Sequence, residues 1–137
     1  MSTVILLSGL LTGCAFFGGR ADDSGDRFAR PDQPKDSPSG QFTVSVDLGP
    51  EQNGVQTWVP VIREKANDLE VFRDTYAYSS RHGVGITWLS GSDQLWLVSS
   101  DVGTAHVDRN VDGRWTKTAI YPETLSEVPE EIRGIGG

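Results

Sequence analysis

The sequence predicts an all-β domain, mainly an antiparallel meander of about six or seven strands arranged as a sandwich or partly open barrel. Three observations carry this. Phe42, Val44, Val46 and Leu48 alternate with Thr43, Ser45 and Asp47, the period of two that marks a half-buried strand. Turn clusters of Gly, Asn, Asp and Ser recur past residue 41 at roughly 8–12-residue spacing. Aromatic and β-branched residues are plentiful over the same stretch, enough to build a packed core.

Taken in order, residues 42–48 form the first strand and Gly49-Pro50-Glu51-Gln52-Asn53-Gly54 turns the chain. Residues 56–63 are the next extended run. Pro60 within it lacks a ladder donor, which places this strand at an edge or on a bulge. Residues 64–68 break the run, and residues 69–78 resume it with Phe72, Tyr76 and Tyr78 on one face by parity. After the polar loop 79–83 comes a strand over 84–89, then the turn Ser90-Gly91-Ser92-Asp93. Residues 94–99 carry Leu95-Trp96-Leu97-Val98, apolar on both faces, as suits a central strand covered on both sides. A short strand over 104–107, a turn over 108–113 and a last strand over 114–121 complete the meander. Pro129-Glu130-Glu131-Ile132-Arg133 predicts a short C-terminal helical turn, since Pro and acids suit a helix start. The stretch 86–118 resembles one β-propeller blade in its placing of Trp88, Leu95-Trp96 and Asp112-Gly113; without a second copy it reads as a local meander.

The amino terminus has a different character. Val4 to Leu11 reads Val-Ile-Leu-Leu-Ser-Gly-Leu-Leu. That is far short of the roughly 20 apolar residues a spanning helix needs. It matches the apolar centre of a signal peptide, about 7–15 residues long, although residues 1–13 hold none of the basic residues that usually precede one. Leu11-Thr12-Gly13-Cys14 follows, and these four residues resemble the lipobox of bacterial lipoprotein signal peptides. The resemblance implies a diacylglyceryl lipid on the Cys14 thiol and cleavage just before it. Residues 1–13 are then a signal peptide, and the protein is extracytoplasmic, anchored in a bacterial cell envelope. Two acyl chains make a stable anchor where one binds only marginally.

Residues 20–40 are dominated by Asp, Pro, Ser and Gly, with Phe28 the one large apolar side chain. Such a composition buries too little surface to offset the entropy of ordering. Residues 14–40 therefore read as the lipidated cysteine and a disordered, flexible tether with ends about 30 Å apart. The β-rich domain is placed at 41–137. The Gly and Asp richness behind this amino terminus resembles actinobacterial envelope proteins.

The formal net charge is −7. An acidic surface repels phosphate backbones, so nucleic acid is not an expected partner. Docking on anionic headgroups through a basic patch is disfavoured for the same reason. With Cys14 the single cysteine, an intramolecular disulfide and a Cys-rich zinc site are both excluded.

Two local patterns invite a functional reading. Asp108, Asn110 and Asp112, with Gly113 after them, match the first half of a calcium loop, but the twelfth position is Ala119 rather than a bidentate Glu. An Asp-Gly hairpin turn accounts for the same residues. Tyr76, Tyr78, Arg81 and His82 gather around the loop 79–83, and Arg and aromatics are residue types that anchor recognition. His106 lies in a strand-like run and reads as structural. The four tryptophans read as core, with Trp58 the most exposed. Neither a Gly-x-Ser-x-Gly elbow nor a His-Glu-x-x-His pattern is present. The expected function is a non-catalytic anchored lipoprotein whose domain binds a protein or envelope component. An acidic inhibitor or immunity-like protein is the alternative class, and a small hydrolase the third.

Overall fold

The computed structural model describes residues 26–135. Among them the chain is all-β with a short helical end. The strands are β1 Lys35–Asp36, β2 Phe42–Leu48, β3 Thr57–Glu64, β4 Glu70–Arg73, β5 Tyr78–Ser79, β6 Gly85–Trp88, β7 Leu95–Ser99, β8 Gly103–Arg109 and β9 Trp115–Ala119. A 3-10 segment, Pro122–Glu127, and the helix α1, Glu130–Arg133, follow. Two strands exceed the expected number: β1 lies in the stretch read as tether, and the run 69–78 divides into β4 and β5.

The strands form two antiparallel sheets. One has the order β1-β2-β3-β4, with β5 also paired to β3; the other has the order β9-β8-β7-β6. In the first sheet Val44 stands opposite Ile62 and Val46 opposite Pro60, so the alternation of β2 delivers Phe42, Val44 and Val46 to one buried face. In the second, Ile86 pairs with Leu97 and Leu95 with Val107. These inward faces meet in one core, where Trp115 packs edge-on against Phe42 with ring centres 4.9 Å apart. The outer face of the second sheet is covered as well: Trp96 on β7 packs with Val128 and Ile132 of the C-terminal segment. β7 thus has cover on both sides, which is why its sequence is apolar at consecutive positions.

Three expectations need correction. Strand β3 is interior, between β2 on one side and β4 and β5 on the other. Pro60 is tolerated because its partner strand is interrupted there. The Pro60 carbonyl accepts from the Asp74 N–H at 3.0 Å, so the ring nitrogen faces the break between β4 and β5 and no ladder bond is lost. A bulge does occur, two residues later, between Ile62 and Arg63. Second, 69–78 is not one strand: residues 74–77 cross over, and the Asp74 carboxylate accepts from the Tyr76 N–H at 3.0 Å.

Third, the packed body does not begin at Gln41. Residues 26–30 lie as a strap along the free edge of β6. The Ala29 N–H donates to the Ile86 carbonyl at 2.8 Å, and Ala29 is 1% exposed. Arg27 donates to Thr87 Oγ1 and the Trp88 carbonyl, both at 2.8 Å, and to Glu131 Oε2 on α1 at 2.7 Å. Composition misses this segment because backbone and guanidinium hydrogen bonds hold it, with one small side chain buried. The strap also covers a sheet edge that would otherwise be open. Beside it, β1 approaches β6 and the Trp88 indole donates to the Lys35 carbonyl at 2.9 Å; at the opposite seam β4 approaches β9. The sandwich is therefore drawn together along both edges.

Candidate functional site

The four residues gathered by the sequence around loop 79–83 separate in the fold. Tyr78 is 3% exposed, on the inward face of β5 opposite Trp58. Its hydroxyl accepts from Lys117 Nζ at 3.0 Å, and the same ammonium donates to both Asp74 carboxylate oxygens at 2.9 Å. The Asp74 side chain is 0% exposed and that of Lys117 27%. Tyr76 stands edge-on to Tyr78 at 4.9 Å, and the Lys117 ammonium lies 5.3 Å from the centre of the Tyr78 ring. This cluster ties β9 of one sheet to the β4–β5 crossing of the other. Burial pushes the Tyr78 hydroxyl above its ordinary value. Burial works against the charge of Lys117, but its bonds to Tyr78 and Asp74 prevail and hold it above the ordinary lysine value. The arrangement is a charged clasp between sheets.

His82 and Arg81 are exposed on the turn that follows β5, where the Gly83 N–H donates to the Ser79 carbonyl at 2.9 Å. His82 borders a cleft of about 410 Å3 at the end of the sandwich where β3 and β6 begin and β7 ends. Phe28, Arg30, Trp58, Val98 and Ile135 line it as well. Gly85 lies at its base, where a Cβ would sit tightly, 3.1 Å from Phe28 Cε1 and 3.3 Å from Ile135 Cγ2. Bare backbone at Gly85 lets the Phe28 ring close one wall. Arg30 donates to Asp26 Oδ1 at 2.5 Å and holds that carboxyl below its ordinary value. Trp58 is half-buried, packed against the core from one side. Among the described residues its indole N–H, like that of Trp115, has no hydrogen-bond partner, whereas those of Trp88 and Trp96 do. Trp58 is the most exposed tryptophan as expected, yet because it stands at the mouth and not on an edge strand.

A third polar group was missed. On the outer face of the second sheet, Trp96 Nε1 donates to Gln94 Oε1 at 2.7 Å and Gln94 Nε2 donates to Asp108 Oδ1 at 2.6 Å. Asp108 Oδ2 bonds His106 Nδ1, and the His106 ring lies 4.8 Å from that of Trp96. The available signal was spacing: Gln94 and Trp96, like His106 and Asp108, are two apart and share a face.

Asp108, Asn110 and Asp112 are turned to separate tasks. Asp108 belongs to the ring just described. Asn110 Oδ1 accepts the N–H groups of Asp112 at 2.9 Å and Arg114 at 3.1 Å, and Gly113 completes the β8–β9 turn at φ +86°. Among the described residues no three His, Cys, Asp or Glu side chains stand together as a ligand set for a metal. Cys14 and the apolar run before it lie outside the described residues. Among those described, no helix is long and apolar enough to cross a membrane.

Comparison with protein-family models, with curated proteins and with solved structures found no match.

Proposed function

We propose that this protein is an extracytoplasmic lipoprotein, held in a membrane by a diacylglyceryl lipid on Cys14, that displays a non-catalytic β-sandwich for binding a protein or cell-envelope component. The observation that carries the reading is the order of the parts. The lipobox-like Leu11-Thr12-Gly13-Cys14 precedes a body whose buried core draws its residues from Ala29 onward. Cleavage before Cys14 would leave that core untouched. Residues 15–25 then separate the lipid from the strap, a span of at most about 40 Å if fully extended.

Metabolic labelling with a fatty-acid probe, comparing wild type with Cys14→Ala, tests this. Label and membrane association are expected to vanish together in the variant. Membrane association that persists without Cys14 would overturn the reading.

A further inference from the structure

We propose that the cleft at the mouth of the sandwich binds a neutral sugar residue, with Trp58 as its stacking platform. Trp88, Trp96 and Trp115 are buried; Trp58 alone of the four is partly exposed, and its ring lines the cleft. Tyr and Trp bring an apolar body and a polar tip to a partner that is apolar on one side and wet on the other. The Phe28 ring, seated on Gly85, supplies a second apolar wall, and Val98 and Ile135 lie beside it. Polar groups stand at the same cleft: His82, Ser100 and Arg30.

The charges select among ligands. Arg30 is paired with the Asp26 carboxylate, which offsets its charge at the cleft. The chain as a whole is acidic, which further disfavours anions. A wholly apolar ligand would use the aromatic walls but make no bond with the His82 and Ser100 groups that line the cleft beside them. A pyranose suits such a lining: its C–H-rich face matches an aromatic ring such as Trp58, and its hydroxyls match polar groups such as the His82 ring and the Ser100 hydroxyl. The cleft volume lies within the usual range for small-molecule sites, which favour preformed concavities such as barrel mouths. Its wall is preformed because Arg27 fastens the strap that bears Phe28 and Arg30. The inference rests on the anchored-module reading only for where the sugar comes from, an envelope glycan or a free solute.

Tryptophan emission of the full chain, purified in a sugar-free detergent, can be followed during titration with trimers of N-acetylglucosamine, glucose and mannose. Co-sedimentation with insoluble peptidoglycan forms a second arm. A saturable response in either arm is expected, weakened roughly tenfold or more by Trp58→Ala and several-fold by His82→Ala. A response to the trimers alone points to a free solute, and one to the wall alone to an envelope glycan. His82 is an exposed turn residue, so His82→Ala carries the test if Trp58→Ala fails to fold. No response in either arm, or a response that both variants leave unchanged, overturns the assignment. Cys14→Ala is expected to bind sugar as wild type does, so failure of the anchor and failure of the cleft are read separately.

Discussion

Lys117 holds the two sheets together where β4 meets β9, and its partners are unequal. The Asp74 side chain is wholly buried, whereas the lysine reaches water. Lys117→Met strands a buried carboxylate and is expected to cost about 3 kcal/mol or more. Asp74→Asn keeps a hydrogen-bonding partner and leaves the ammonium on Tyr78; a cost of about 1–2 kcal/mol is expected. Urea unfolding of both variants measures the difference, and equal losses would contradict this account of the clasp. At this scale the sequence is legible where parity and burial agree, as at Phe42, Val44 and Val46. It is harder to read where a polar residue faces inward. Parity places Lys117 on the same face as Trp115, and that conflict was the sign of a buried partner. Nothing local announces Asp74 as that partner, because the two are joined only by the meeting of two sheets. Tyr76 and Tyr78 shared a face by parity and do touch, but the contact serves Lys117, while His82 turns to the cleft.

Among elements, the strap over residues 26–30 is where composition and structure part. Linker-like sequence scores poorly for burial, yet this stretch needs to bury little, since the β6 edge supplies waiting backbone partners. A chain beginning at Asp26 is expected to unfold cooperatively. One beginning at Gln41 loses the Ala29 and Arg27 bonds to β6 together with β1, and its melting temperature is expected to fall by about 10 °C or more. Equal melting temperatures would show the strap to be ornamental. The long alternating strand β2 and the doubly covered β7 were legible because their patterns report burial directly. The status of β3 was not, because Pro60 reports a missing donor without saying which neighbour is absent. The cleft was half legible: His82 and a partly exposed Trp58 could be singled out, but the wall built by Phe28 and Gly85 depends on the strap.

For the whole molecule, the charged ties set the pH range of stability. Tyr78 and Lys117 are held above their ordinary values, so the folded chain keeps their protons longer than the unfolded chain. Their contribution is present below about pH 10 and is lost as the pH rises through the folded values. Glu131 is held below its ordinary value of 4.5, first by its hydrogen bond from Arg27. Its contribution is present above that value and is lost as the pH falls, and it is modest because the side chain is about a third exposed. Thermal unfolding across pH is therefore expected to show a plateau with an alkaline limb altered in Lys117→Met and an acid limb altered in Arg27→Ala. Limbs unchanged in both variants would contradict these assignments. Display of this body from a lipid on Cys14 is read in the intact mass of the protein extracted from membranes. The expected chain starts at Cys14, lacks residues 1–13 and carries added lipid mass on that cysteine. An extracted chain that retains Met1 to Gly13, or whose Cys14 carries no lipid, would contradict it.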